Sequence, residues 1–131
     1  MTYVVMNNGC YGLTKGQYSP TSAEGLKTKS SPSGVIDHPF NPLTLSLGAD
    51  ATFVARTIDR NPSHLRDMLK RSHQHLGTSF LEIYQNCVIF NDGVFEEFSA
   101  KESKDDSSLF VQHGFPLKFG KDLSKGIVLE G

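Results

Sequence analysis

Apolar positions along this chain fall into short continuous runs, with one set at helical spacing among them. Tyr3-Val4-Val5-Met6 is a continuous run just inside the N-terminus. Its length predicts a buried strand over residues 2–6. Thr52-Phe53-Val54-Ala55-Arg56 and Thr78-Ser79-Phe80-Leu81-Glu82-Ile83-Tyr84 are rich in β-branched and aromatic residues, and predict two further strands. Asn41-Pro42 joins a side-chain acceptor to a residue whose φ is already helical, so a short helix is expected over residues 43–47, ending at Gly48. Asn61-Pro62 repeats the signal. Leu65, Met68, Leu69 and Leu76 then recur as one amphipathic face, with Gly77 as the stop. The order strand, loop, helix, strand, helix, strand predicts an α/β fold: an open parallel sheet with right-handed crossovers.

Between these elements the pattern is weaker. Residues 19–42 are rich in Ser, Pro, Gly, Lys and Thr, and Ser30-Ser31-Pro32-Ser33-Gly34 reads as loop. A loop of this length is either a surface excursion or a lid. Asn91-Asp92-Gly93 predicts a turn, and residues 96–106 an exposed charged helix or loop. Leu109-Phe110-Val111 and Gly126-Ile127-Val128-Leu129 are two short candidate strands. The tail holds too few apolar residues for a core of its own, so it is expected to pack on the sheet or on a partner subunit.

Length and charge narrow the class. The 131 residues suit one small domain, and a net charge of −1 implies no nucleic acid or other polyanionic partner. No apolar run approaches the ~18–20 residues of a membrane span. No secretory signal is visible, so a cytoplasmic protein is expected. Cys10 and Cys87 lack metal-type spacing, and a disulfide between them is not expected there.

Candidate chemistry concentrates after the first strand, in Asn7-Asn8-Gly9-Cys10-Tyr11-Gly12-Leu13-Thr14-Lys15-Gly16-Gln17. Loops at the carboxyl ends of parallel strands are where open α/β sheets bind ligands. Glycines let backbone approach an anion, and an Asn oxygen is a hard ligand for Mg²⁺ between protein and phosphates. The same composition also suits a plain turn, with Asn and Gly chosen for positive φ. Lys15 offers a point charge to a phosphate or carboxylate, or simply to water. Cys87, alone, reads as a buried apolar filler. His64, His73 and His75 read as surface residues, His38 and His113 have no partner visible from sequence, and no Ser-His-Asp or Cys-His grouping emerges. Glu82 reads as a structural strand residue.

The run from Val5 to Thr21 resembles the thiamine-diphosphate loop of the β subunits of 2-oxoacid:ferredoxin oxidoreductases, most closely the 2-oxoglutarate branch, and the block Tyr84-Gln85-Asn86-Cys87-Val88-Ile89-Phe90-Asn91-Asp92 resembles a second segment of that family. The resemblance implies a partial thiamine-diphosphate-binding domain over residues 1–95 and a C-terminal tail extension over 96–131. It implies that Asn8 and the Cys10 backbone carbonyl ligate Mg²⁺. Gly9, Cys10, Tyr11, Gly12, Leu13, Thr14 and Lys15 would line the cofactor, with Leu13 and Lys15 also facing substrate. Cys87 would be one ligand of a [4Fe–4S] cluster, which needs four thiolates. The family's upstream Gly-Asp-Gly segment and other cluster cysteines are not in this sequence, so the resemblance implies a C-terminal-side piece of a longer subunit. The acid–base glutamate of thiamine enzymes comes from a partner domain, so no catalytic residue is assigned here. The implied reaction is oxidative decarboxylation of a 2-oxoacid to acyl-CoA and CO₂, with electrons to ferredoxin and an α subunit as partner. Two other classes remain open: a thiamine-diphosphate decarboxylase or synthase without ferredoxin chemistry, and a non-catalytic α/β binding fragment.

Overall fold

The computed structural model describes residues 1–128. The chain forms two compact units, Met1–Val94 and Phe95–Gly131. The first is built on three parallel strands, β1 (Thr2–Asn7), β4 (Phe53–Ile58) and β5 (Ser79–Tyr84), in the order β1-β5-β4. A hairpin of β2 (Cys10–Tyr11) and β3 (Gln17–Tyr18) follows β1. Helix α1 (Pro42–Gly48) leads to β4, and α2 (Pro62–Gln74) joins β4 to β5. This is the predicted α/β order with a parallel sheet.

Both Asn-Pro signals cap helices as expected. The Asn41 carboxamide oxygen accepts from the N–H groups of Leu43 and Thr44, and that of Asn61 from His64. Each capped end offers orphan donors that the side chain satisfies, worth ~1 kcal/mol apiece. Met68, with Leu65 beside it, packs on Leu81, Ile83 and Ala55 to form the core. These positions share one sheet face because residues two apart on a strand point the same way.

Three expectations need correction. The strand over residues 2–6 exists, but it is not buried: Val4 is 47% and Met6 67% exposed. It lies at the sheet edge with β5 as its one neighbour, and the buried run belongs instead to β5, in the middle. The amphipathic face of α2 is narrower than predicted. Leu69 lies on its outer side, and Leu76 is exposed. The helix has already ended at Gln74, His75 is extended, and Gly77 at φ +155° turns the chain into β5.

Residues 19–41 fold back on themselves. Gly25 N–H donates to Val35 O (2.7 Å), Val35 N–H to Leu26 O (3.0 Å), and Phe40 N–H to Pro20 O (2.8 Å). Val35 is buried within this loop. In the second unit a short 3-10 turn (Glu96–Phe98) and α3 (Lys104–Ser107) occupy the charged stretch. The expected strand at residues 109–111 carries no regular structure. A strand needs a partner edge, and the paired strands of this unit are β6 (Lys118–Phe119) and β7 (Lys125–Gly126). The last candidate strand therefore begins one residue earlier and stops at Gly126, and its Leu129 lies outside the described residues.

Candidate cofactor loop and the Cys87 turn

The loop after β1 leaves the sheet at its carboxyl edge, where Asn7 pairs with Tyr84. Its fold is a two-residue ladder, β2 against β3, closed by turn bonds from Lys15 N–H to Gly12 O and from Gly16 N–H to Tyr11 O, both 3.0 Å. The Thr14 hydroxyl adds a long bond to Tyr11 O (3.4 Å). Two positions require glycine. Gly9 sits at φ +61° with Asn91 Nδ2 3.1 Å from where a Cβ would be, and Gly16 sits at φ +93° against Phe90. Gly12 has a negative φ and open space beside it.

The base of the loop is held by the sheet. Glu82 is completely buried on β5. Its Oε2 accepts from Arg56 Nε (2.7 Å) and its Oε1 from Asn7 Nδ2 (2.8 Å). Asn7 Oδ1 accepts from Gly9 N–H (2.9 Å) and from the Thr21 hydroxyl (2.7 Å). The buried Ser22 hydroxyl donates to Gly9 O (2.7 Å) and accepts from Ser19 N–H (2.8 Å). A buried carboxylate is tolerated only with partners of this kind. Asn8 Oδ1 faces the loop and accepts from Cys10 N–H at 3.3 Å, leaving acceptor capacity on that oxygen. Leu13 is 99% exposed at the loop tip, and Lys15, at φ +65°, is exposed beside it.

The segment after β5 packs under this loop. Asn91 Nδ2 donates to the carbonyls of Asn8 (3.0 Å) and Gly9 (3.2 Å). Asn91 N–H donates to Cys87 O (3.0 Å), forming the turn that carries Cys87. The Cys87 thiol lies below its ordinary range, chiefly because Phe90 N–H points at the sulfur, with the N–H groups of Ile89 and Asn91 and the Cys10 thiol adding to the effect. Cys10 is pushed up to about 11 by burial, then by the neighbouring Cys87. The two thiols, 77 positions apart in sequence, lie close enough to influence each other's ionisation, and both are free. The turn is pinned from below: Asn86 N–H donates to Asp59 Oδ2 (3.0 Å), and Asn86 Nδ2 to Asp92 Oδ1 (2.7 Å).

The structure thus brings the two cysteines and the Asn pair together, which sequence spacing did not reveal. Arg56, Thr21, Ser22 and Asn91 join the site without a local sequence signal that marks them, and Glu82, a structural strand residue as expected, anchors it. A lone carboxylate in an apolar strand of a parallel sheet is the signal that could have found the network, since it demands a partner. Two histidines also depart from expectation. His64 is half-buried with Nδ1 2.9 Å from the Thr57 hydroxyl, and His75 Nε2 is 2.7 Å from that of Thr52. Burial lowers the His64 pKa, with Asp67 opposing and Arg71 adding to the shift.

Among the described residues no group of three or more His, Cys, Asp or Glu side chains is placed to hold a metal ion, and no helix is long and apolar enough to cross a membrane.

Comparison with known proteins locates the arrangement. The family described as thiamine pyrophosphate enzyme, C-terminal TPP binding domain, matches residues 1–83. A 2-oxoglutarate oxidoreductase subunit KorB from Mycobacterium tuberculosis is 47% identical over all 131 residues, which span 35% of that relative. A 2-oxoacid:ferredoxin oxidoreductase subunit beta from Saccharolobus solfataricus is 41% identical over 77% of the chain and 33% of the relative. The solved 2-oxoglutarate:ferredoxin oxidoreductase from Magnetococcus marinus, with 2-oxoglutarate, coenzyme A and succinyl-CoA bound, superposes with a TM-score of 0.68 at 41% identity, covering 71% of this chain and 32% of that one. The chain spans about a third of the length of these relatives. A matched domain over residues 1–83 and a parallel sheet ending in the Asn-Asn-Gly loop place this chain in the thiamine pyrophosphate enzyme family, in its C-terminal TPP-binding domain, and along its whole length it is similar to part of the KorB subunit.

Proposed function

We propose that this chain forms one wall of the diphosphate site, and supplies one cluster thiolate, in a cytoplasmic 2-oxoglutarate:ferredoxin oxidoreductase that also contains an α subunit. The observation that carries the reading is the meeting of the Asn-Asn-Gly loop with the Cys87 turn, clamped by Asn91. Residues 7–18 contain no carboxylate to repel a diphosphate, and Lys15 is their one charged side chain. Asn8 offers a neutral hard oxygen of the kind Mg²⁺ takes, with the Cys10 carbonyl as its companion ligand. The backbone of Gly9, Tyr11, Gly12 and Thr14 shapes the wall, and open space at Gly12 leaves room for close approach. Leu13, standing free of the loop, presents an apolar contact to cofactor and substrate. Lys15 presents an ammonium to a phosphate or to the distal carboxylate of 2-oxoglutarate.

Cys87 fits a [4Fe–4S] ligand because backbone N–H groups converge on its sulfur and favour the thiolate, the form that binds iron. One cysteine is a quarter of such a set, so the remaining thiolates come from outside the described residues. When bound, thiamine diphosphate supplies the decarboxylation chemistry and the cluster the path for electrons to ferredoxin. This chain's own residues hold, orient and neutralise.

The test is anaerobic co-purification of a β subunit carrying this chain with its α subunit. Reduction of a viologen dye is then assayed with 2-oxoglutarate and coenzyme A, with Cys87→Ser in parallel. The reading requires activity that disappears in the variant together with the iron–sulfur absorbance. Turnover of pyruvate but not 2-oxoglutarate would move the substrate within the family. Absence of activity, thiamine diphosphate and iron would overturn the reading and leave a binding module.

A further inference from the structure

We infer that Arg56, Glu82 and Asn7 form a positioning relay that sets the Asn-Asn-Gly loop for its ligands, with Asn7 acting as a splint and not as a metal ligand. The inference rests on the cofactor-loop reading above and extends it to residues that the sequence did not single out for the site.

Hydrogen-bond chemistry allows Asn7 one orientation. A backbone N–H can only donate, so the atom facing Gly9 N–H at 2.9 Å is Oδ1. An ionised carboxylate can only accept, so the atom facing Glu82 Oε1 at 2.8 Å is Nδ2. Thr21 then donates its hydroxyl to the same Oδ1 at 2.7 Å. Arg56 Nε, at 2.7 Å from Glu82 Oε2, holds the carboxylate in place and balances its charge. The Asn7 oxygen, the atom that could bind a metal, already accepts two hydrogen bonds within the protein, whereas the Asn8 oxygen accepts one and keeps capacity to face outward. Register makes the relay possible. Arg56 and Glu82 are directly paired across β4 and β5, and Asn7 stands one same-face step beyond Val5, the β1 residue paired with Glu82. The last sheet residue before the loop is thereby tied to the central strand.

The test exploits the polarity of the relay. Glu82→Gln turns a carboxylate oxygen into a donor that meets Asn7 Nδ2. Asn7→Asp sets two carboxylates against each other. The double variant Asn7→Asp/Glu82→Gln restores complementarity: the Gln amide donates to Asp, whose oxygens still accept from Gly9 N–H and Thr21, while the Gln oxygen accepts from Arg56. Amide hydrogen exchange of Gly9, with no cofactor present, should accelerate about tenfold in either single variant and return close to wild type in the double. In the complete enzyme, Mg²⁺–thiamine diphosphate affinity measured by calorimetry should fall about tenfold in the singles and recover in the double. Gly9 exchange unchanged in the singles, or a double variant that folds cooperatively and exchanges no more slowly than the worse single, would overturn the relay. A relay confirmed by exchange in a wild-type enzyme that binds no thiamine diphosphate would leave the relay standing and sink the functional reading instead.

Discussion

The base and the tip of one loop behave as opposites. At the base, Asn7, Asn8 and Gly9 are tied to β5, to Ser22 and to Asn91 by bonds that cross up to 83 positions of sequence. At the tip, Leu13, Thr14 and Lys15 have only bonds to their immediate neighbours, and Leu13 is bare. The base contains what must not move if Asn8 is to hold a metal in place. The tip contains exposed side chains without ties to the sheet. Preorganisation matters most where a ligand is bound by geometry, and a site held on strands is more exact than one held on loop.

Breaking the base should cost most. Arg56→Met strands the buried Glu82 carboxylate, and the expected loss in urea-denaturation stability is ~3 kcal/mol, the low end for a broken buried pair, because Arg56 keeps 34% of its side chain in water. A loss below ~1 kcal/mol would show that the pair is not buried in solution. Ser22→Ala removes the donor to Gly9 O and the acceptor for Ser19 N–H. It should cost ~1–3 kcal/mol by the same measurement.

Two glycines then sharpen the contrast within a single turn. Gly16→Ala forces a side chain into a positive-φ position beside Phe90, at an expected ~1–3 kcal/mol. Gly12→Ala meets only open space, so its thermal unfolding should stay within ~0.5 kcal/mol of wild type. Equal effects at the two positions would mean that the turn relaxes freely.

The smallest perturbation is chemical. Thiolate, not thiol, is the nucleophile. Cys87, lowered by its N–H partners, should react with iodoacetamide below the ordinary thiol value of 9.0, its rate rising as pH climbs through the lowered pKa. Cys10, buried and raised, should stay unmodified until pH nears about 11. The linkage signs are opposite. A lowered native pKa adds stability above the ordinary thiol range that fades as pH falls through it, whereas the raised Cys10 adds stability at low pH that is lost as pH rises through its own native value. Peptide mapping that finds Cys10 labelled as fast as Cys87 would show that the base of the loop opens in solution.

Much of this was legible in the chain. The two Asn-Pro caps, the strand runs and the Asn-Asn-Gly-Cys-Tyr-Gly loop are local signals, and local signals act through φ, through orphan N–H groups and through side-chain period. Asn41, Asn61 and Met68 stand where these rules put them. Sheet order was not legible. An apolar run announces a strand, but it cannot say whether the strand lies at the centre or the edge, and burial falls on Leu81, Glu82 and Ile83 of the central strand rather than on Tyr3-Val4-Val5-Met6 at the edge. Register was not legible either. Only the parallel pairing sets Arg56 against Glu82 and brings Asn7 within reach, and only the turn at residues 87–91 brings Cys87 under Cys10. The residue types, their loop and their chemistry are properties of the sequence, since each depends on neighbours a few positions away. Which of them are splints, which are buried and which stand free was decided by tertiary structure, because a hydrogen bond across the sheet depends on distances that no stretch of sequence contains.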